Sequence, residues 1–307
     1  MKKYTLLIVL FFLLALILLP FIKSEETLEL SKTTTASAPG QFVRLSNGNV
    51  HYQLLGAPDG PVVVFIHGFS VPSYTWERNI PHLIDLGYRV LSYDLYGRGY
   101  SSRPNIEYDR SLFVIELAEL LEALNINKKV NLVGISMGGG IAAAFATDYP
   151  EKIQSLIFLA PFHSPVDIGL FAIPIIGEYL AYSFYVPDLP EAQLESFVNP
   201  EAHIKRVDLY RQQMKYSGFS NALLTTARGF IQSNPIRDFR KIGTSNIKSL
   251  LLWGDKDTTF PIEQANTVRT ALSPNVKFKI ISNAGHALHY ERSNDVNTEI
   301  SAFLGAN

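Results

Sequence analysis

The chain has 307 residues, of which 47% are hydrophobic, and its formal net charge at pH 7 is −1. This composition excludes an intrinsically disordered protein, and it indicates no nucleic-acid partner because no basic excess is present to neutralise phosphates. The absence of cysteine excludes disulfide bonds, a thiol nucleophile and a cysteine-ligated metal site. The length allows one large α/β domain with an insertion.

The first feature along the chain is an uncharged apolar run of 19 residues, Tyr4 to Ile22, between Lys2-Lys3 and Lys23. As a helix it would be about 28 Å long, close to the hydrocarbon thickness of about 30 Å. Residues 1–23 therefore predict an N-terminal transmembrane anchor that contacts the membrane through residues 4–22. The alternative is a cleaved signal peptide, whose apolar region is usually about 7–15 residues long.

The charges that flank this segment predict its orientation. Lysines precede it, whereas Glu25, Glu26 and Glu29 follow it, and basic residues favour the cytoplasmic side. We expect a cytoplasmic N-terminus and a periplasmic or extracellular body, which would be secreted if the segment is cleaved. Residues 24–40 are rich in Ser and Thr and end in Pro-Gly, which is typical of an exposed linker. The sequence leaves open whether the anchor mediates a homodimer.

From Gln41 onward, short aliphatic runs alternate with helical stretches, as in a parallel sheet whose strands are buried on both faces. The pattern predicts an α/β fold with a mostly parallel, doubly wound sheet, encoded by residues 41–162 and 221–307. A helix is predicted over Ser111 to Leu124, with Ser111 as its N-cap. The predicted strands are Val50–Leu55, Val62–Ile66, Arg89–Tyr93, Val130–Val133, Ile153–Leu159, Ser249–Leu252 and Val276–Ile281.

The alternation breaks between residues 163 and 220. This interval has five prolines among aromatic and aliphatic residues, and it predicts an inserted helical cap. Its apolar parts are too interrupted by Pro174 and Gly177 to form a second transmembrane span. Two interpretations stay open: these residues only pack the cap on the core, or some also form an acyl-chain pocket or touch the membrane.

The strongest chemical signal is the GxSxG run Gly134-Ile135-Ser136-Met137-Gly138. An apolar strand precedes it and a small-residue helix follows it, which predicts that Ser136 lies on a tight strand-to-helix turn. Glycines at the flanking positions avoid crowding in such a turn. This context favours Ser136 as a nucleophile.

A serine nucleophile needs a base, and the base needs an acid to orient it. An acid, Asp255 or Asp257, lies in the run WGDKDTTFP after the strand that ends at Leu252, and His286 follows the next strand in GHALHYE. Both are therefore placed at carboxyl ends of strands, where α/β proteins assemble their sites. The chain order of serine, aspartate and histidine is that of hydrolases.

With these motifs, and with His67-Gly68-Phe69 and the run DLYGRGYS that begins at Asp94, the chain from Gln41 to Leu304 resembles the α/β-hydrolase family. The resemblance implies Ser136 as nucleophile, His286 as general base and then acid, and Asp257 as its orienting carboxylate. It further implies an oxyanion hole formed by the backbone amides of Phe69 and Met137. Within the family, the chain is most similar to bacterial membrane-anchored monoacylglycerol lipases, lysophospholipases and phospholipases A.

Other residues compete for these roles. Asp255 is the alternative acid and His289 the alternative base, although the family spacing favours Asp257 and His286. His67, Gly68 and His163 are candidates for substrate contact, and His67 also for bracing the oxyanion loop.

The expected activity is a serine carboxylester hydrolase that cleaves acyl esters of lipids, either a monoacylglycerol or a lysophospholipid or phospholipid, through an acyl-enzyme. The resemblance implies no metal ion and no organic cofactor. A C–C bond hydrolase of meta-cleavage products, which uses the same triad, is the alternative enzyme. A non-catalytic ligand receptor on a hydrolase scaffold is the alternative of another class.

Overall fold

The computed structural model describes residues 2–306, apart from several side chains between residues 2 and 13. Its centre is an eight-stranded sheet in the order β1-β2-β4-β3-β5-β6-β7-β8. The strands are β1 Gln41–Leu45, β2 Gly48–Gly56, β3 Val62–Ile66, β4 Arg89–Tyr93, β5 Val130–Ile135, β6 Ile153–Leu159, β7 Lys248–Gly254 and β8 Val276–Ile281.

The sheet is parallel from β4 to β8, and β2 pairs antiparallel with both β1 and β4. Every residue of β3 and β5 is buried, so helices and loops cover both faces of the sheet. The predicted α/β architecture with a mostly parallel sheet is confirmed. The sequence pattern missed β1, because this edge strand is mostly exposed and carries no apolar run.

Twelve α-helices lie among the described residues. They are α1 Lys2–Lys23, α2 Ile80–Asp85, α3 Arg110–Ala123, α4 Met137–Asp148, α5 Ile176–Leu180, α6 Val186–Ala192, α7 Lys205–Met214, α8 Phe219–Arg228, α9 Ile236–Gly243, α10 Ala265–Leu272, α11 Leu288–Glu291 and α12 Ser293–Gly305.

The predicted N-cap of α3 is wrong. The helix begins at Arg110, and the carboxylate of Asp109 accepts a hydrogen bond from the Leu112 amide at 2.8 Å. An aspartate satisfies such an orphan amide at least as well as a serine does. Arg110 fixes the same end of the helix through ion pairs with Asp148 and Asp238 at 2.6 and 2.9 Å.

The helices between β6 and β7 form a cap with its own small apolar core. This core contains Val186, Leu189, Tyr210, Met214, Phe219 and Leu223, and it packs against Phe69 and Val71 in the loop after β3. The cap thus covers the carboxyl end of the sheet. Its core extends past residue 220 into α8.

The linker after α1 docks on this cap. The Glu26 carboxylate accepts hydrogen bonds from the backbone amides of Gly218 and Ser220, at 2.6 and 2.8 Å, where α8 begins. Leu28 forms a parallel bridge with Tyr216. A carboxylate at a helix N-terminus satisfies amides that have no intrahelical acceptor.

In the part of the chain that the structure describes, no helix has the length and apolar character required to cross a bilayer. The predicted span, residues 4–22, lies partly outside the described side chains. The membrane anchor therefore stays a prediction.

Candidate active site

Ser136 occupies the turn between β5 and α4 with φ 51° and ψ −123°, a conformation that a residue with a side chain rarely adopts. The turn closes only because its neighbours are glycines. A Cβ on Gly134 would overlap the Gly138 carbonyl, and a Cβ on Gly138 would overlap the Ile66 carbonyl of β3. The sequence therefore folds locally into the sharp elbow that exposes a serine hydroxyl at the carboxyl edge of the sheet.

Asp257 and His286 meet at the same edge of the sheet. The Nδ1 atom of His286 lies 2.8 Å from Oδ2 of Asp257, which is buried. The other carboxylate oxygen of Asp257 accepts the backbone amides of Thr259 and Phe260 at 2.9 and 2.8 Å. These bonds hold the carboxylate in place and orient the imidazole.

Ser136 and His286 line one cavity. Among the three predicted triad side chains, the structure shows a hydrogen bond between Asp257 and His286. It shows none from Ser136 to His286 in the described chain. Serine–histidine hydrogen bonds in ligand-free enzymes are often long and tighten only with substrate.

The two predicted oxyanion donors lie beside this serine. Met137 is the first residue of α4, where a backbone amide has no intrahelical acceptor. The Phe69 amide belongs to the Gly68–Phe69 peptide, and both residues line the cavity that contains Ser136. The arrangement suits a negative oxygen formed on a carbonyl that Ser136 attacks.

His67 orients that peptide from behind. Its Nε2 accepts the Leu95 amide at 3.0 Å, so its Nδ1 carries the proton and donates to the Gly68 carbonyl at 2.9 Å. Burial lowers the pKa of His67 to about 4, which keeps the ring neutral. Arg98, also buried, donates from Nε to the Phe69 carbonyl at 2.8 Å.

Two of the predicted substrate contacts lie behind the cavity wall. His67 is buried with both ring nitrogens bonded to backbone, and His163 is buried with Nδ1 donating to the Pro161 carbonyl at 2.9 Å. Neither is among the described residues that line the two cavities at Ser136, and their contact with a substrate stays a prediction. Gly68 does line the cavity.

The alternative acid and base lie elsewhere. Asp255 accepts the Ala284 amide at 3.3 Å. His289 is buried, with Nε2 2.6 Å from the Thr75 hydroxyl, and burial lowers its pKa well below the usual range. The structure places Asp257 rather than Asp255 against a histidine, and that histidine is His286.

Two cavities meet at Ser136, and each is also lined by Phe69 and Thr259. We call the larger one, of about 450 Å³, the apolar lobe because it is lined mainly by aliphatic and aromatic side chains of the cap, such as Phe171, Tyr185 and Leu223. The smaller one, of about 180 Å³, has the more polar lining of the two, with His286 in its wall, and we call it the polar lobe. A substrate cleaved at Ser136 can place one part in each lobe.

Arg206 is a charged residue of the polar lobe that the sequence pattern did not single out. It lies on α7, whose many charged residues hid the one that is buried. No sequence signal distinguishes it.

A second buried Asp–His pair lies away from the cavity walls at Ser136. His51 Nδ1 lies 2.8 Å from Asp94 Oδ2, and His51 Nε2 contacts the Pro39 carbonyl of the linker. Asp94 also accepts the Ser73 amide at 2.9 Å and the Tyr100 amide at 3.0 Å. Within residues 2–306, no group of three or more His, Asp or Glu side chains could hold a metal ion.

A comparison with known families matches residues 61–293 to the alpha/beta hydrolase fold. The chain belongs to the alpha/beta hydrolase family.

Proteins that are similar to this alpha/beta hydrolase are named for several different activities. A putative non-heme chloroperoxidase of Synechocystis sp. is 28% identical over 274 residues, covering 83% of this chain and 95% of that protein. A 2-hydroxy-6-oxo-6-phenylhexa-2,4-dienoate hydrolase of Comamonas testosteroni is 26% identical over 272 residues, covering 85% and 92%. The crystal structure of a bacterial membrane phospholipase A superposes with a TM-score of 0.72 at 24% identity and covers 100% of this chain and 99% of that one.

Proposed function

We propose that this alpha/beta hydrolase is a serine carboxylester hydrolase that cleaves acyl esters of membrane lipids. The observation that carries the proposal is the apolar lobe of about 450 Å³ that opens at Ser136. Its volume and apolar lining suit a hydrocarbon chain bound beside the nucleophile.

In the proposed reaction, Ser136 Oγ attacks the ester carbonyl while His286 Nε2 takes the hydroxyl proton. The oxyanion accepts hydrogen bonds from the Met137 and Phe69 amides. The carbon–oxygen bond to the alcohol breaks, and the leaving alcohol takes the proton from His286. Water, deprotonated by the same histidine, then releases the fatty acid from Ser136.

The position of the N-terminal helix supports a lipid substrate. Helix α1 contacts the π-helical turn Ala181–Tyr185 of the cap, and both end residues of that turn line the apolar lobe. We propose that α1 anchors the protein in a membrane with its N-terminus in the cytoplasm, so that the lobe lies near lipid. The phospholipase A structure matches the whole chain, α1 included, which supports this arrangement at the level of the fold.

The experiment compares initial rates of the wild type and Ser136→Ala in detergent with five substrates. These are a monoacylglycerol, a lysophospholipid, a diacyl phospholipid, a short nitrophenyl ester and a dienoic diketone acid. We expect turnover of lipid esters by the wild type and a loss of about 10⁴-fold or more in the variant. Ser301→Ala, on α12, is the matched control and should keep the wild-type rates.

Two other outcomes would replace the proposal. Turnover of the diketone alone would assign C–C bond hydrolysis, the activity that the Comamonas testosteroni relative carries in its name. If no substrate turns over and a serine-reactive phosphonate fails to label Ser136 in folded protein, the receptor hypothesis replaces the enzyme.

A further inference from the structure

Arg206 is buried without the partners that a buried cation needs. The residue is 6% exposed, and its Nε and Nη1 atoms find no hydrogen-bond acceptor within the described residues. Arg206 forms a long ion pair with Glu77, whose Oε1 lies 3.7 Å from Nη1. The Glu77 side chain is about half exposed. Leaving buried donors unsatisfied is costly, and an arginine stays charged.

Aromatic rings fix the guanidinium of Arg206 in one orientation. Its carbon Cζ lies 4.0 Å from the centre of the Tyr290 ring, 5.3 Å from that of Tyr74 and 5.8 Å from that of Phe197. Arg78 stacks on the Tyr290 ring as well, also at 4.0 Å, which adds positive potential nearby. Stacking holds a cation in place, but it does not satisfy the N–H donors.

Arg206 forms part of the wall of one cavity, the polar lobe. Arg206 lines this lobe together with Ser136 and His286, and no described residue of its lining is a carboxylate. The lobe of about 180 Å³ is smaller than a usual drug-sized pocket, so a compact group fits it better than a second acyl chain. A guanidinium in the wall of such a site, with no carboxylate beside it there, suits an oxyanion.

We propose that Arg206 binds the phosphate of a lysophospholipid head group in the polar lobe, while the acyl chain occupies the apolar lobe. This proposal rests on the proposed lipid ester hydrolysis. It makes the alcohol that is released when Ser136 is acylated a glycerol phosphate, and it makes Arg206 a specificity-determining residue.

The test compares kcat/KM for two substrates that share one acyl chain, a monoacylglycerol and 1-acyl-glycerol 3-phosphate. In Arg206→Gln, kcat/KM for the phosphate-bearing substrate should fall by about 10- to 100-fold, since a charge-assisted bidentate contact is lost. The value for the neutral monoacylglycerol should change by less than about threefold. Arg206→Lys should lose less than Arg206→Gln, because the charge remains without the fork geometry.

Lys205→Gln is the matched control, because it removes the same charge from the neighbouring, exposed position of α7. It should leave both substrates at wild-type kcat/KM. An equal loss for both substrates in Arg206→Gln would show a merely structural residue and overturn the proposal. An unchanged ratio of the two substrates would overturn it as well.

Binding without turnover separates this proposal from lipid hydrolysis itself. Glycerol 3-phosphate should raise the Tm of the wild type and of Lys205→Gln but not that of Arg206→Gln. If the wild type cleaves no lipid ester yet shows this shift, the proposed function fails and the oxyanion site stands. The oxyanion that binds Arg206 would then be the carboxylate of a diketone acid. Absence of the shift in the wild type overturns the site.

Discussion

The molecule contains two buried Asp–His pairs with the same geometry and different surroundings. In each pair a histidine Nδ1 lies 2.8 Å from an aspartate Oδ2. The Nε2 of His51 contacts the Pro39 carbonyl, whereas His286 lines the cavity at Ser136. The contact between aspartate and histidine therefore does not distinguish His286, the proposed general base, from His51. The two histidines differ in what surrounds the second ring nitrogen.

His51 is held as an imidazolium. A carboxylate and a carbonyl are both pure acceptors, so both ring nitrogens must donate. Burial lowers the pKa of His51, but the hydrogen bond and charge of Asp94, together with the Pro39 carbonyl, outweigh it and raise the pKa. Burial likewise opposes ionisation of Asp94, yet His51 and other partners lower the pKa of this carboxyl. Below the raised pKa of His51, the pair fixes the linker to the core as an ion pair.

The largest expected effect is the difference in kcat between variants of the two Asp–His pairs. Asp257→Asn should lower kcat by about 10³- to 10⁴-fold. The asparagine oxygen would keep the Thr259 and Phe260 amides, so its NH₂ would face His286 Nδ1 and force the proton onto Nε2. Asp94→Asn should lower kcat of the folded enzyme by less than about tenfold. Initial rates with a nitrophenyl ester measure both, and equal losses in the two variants would remove the distinction.

The second prediction concerns stability. Asp94→Asn should lower the free energy of unfolding by about 3 kcal/mol, because it removes the carboxylate that pairs with the buried His51 ring. Urea denaturation monitored by tryptophan fluorescence gives the value. Asp255→Asn is the matched control: it removes a charge from a partly exposed aspartate with a 3.3 Å contact, and it should cost less than about 0.5 kcal/mol. A loss for Asp94→Asn as small as that of the control would contradict an ion pair at His51.

The smallest expected effect is the pH dependence of the His51 contribution. Because the folded state raises this pKa, the stabilisation is complete below the ordinary pKa of about 6.5 and is lost as the pH rises through the raised value. The Tm difference between the wild type and His51→Gln should therefore be largest near pH 6 and narrow toward pH 9. A difference that is constant over this range would show that His51 acts as a neutral ring. In an Asp94→Asn background the narrowing should disappear.

The pH dependence of the stabilisation by His67 has the opposite sign to that of His51. Its folded pKa of about 4 lies below the ordinary value, so its contribution is present above about pH 6.5 and is lost as the pH falls toward 4. Tm measurements between pH 7 and pH 4 should show a smaller decline in His67→Asn than in the wild type.

The sequence by itself determined the strands β2 to β8 and the elbow at Ser136. Apolar runs mark the central strands, which are buried, and the glycines around Ser136 are required by the local backbone. Through its resemblance to the family spacing, the sequence also predicted Asp257 as the residue beside His286. The sequence pattern did not predict the edge strand β1, because an exposed strand carries no apolar run. It did not predict the N-cap at Asp109 either, because several polar residues can cap a helix.

Only the tertiary structure decided which polar side chains are buried and what each one faces. His51 and Asp94 are 43 residues apart in the chain, and no local pattern brings them together. Arg206 looks in sequence like any other charged residue of an amphipathic helix, and only the packing of Tyr290, Tyr74 and Phe197 around it removes it from water. Burial and facing partners come from long-range packing, which periodicity along one element does not encode.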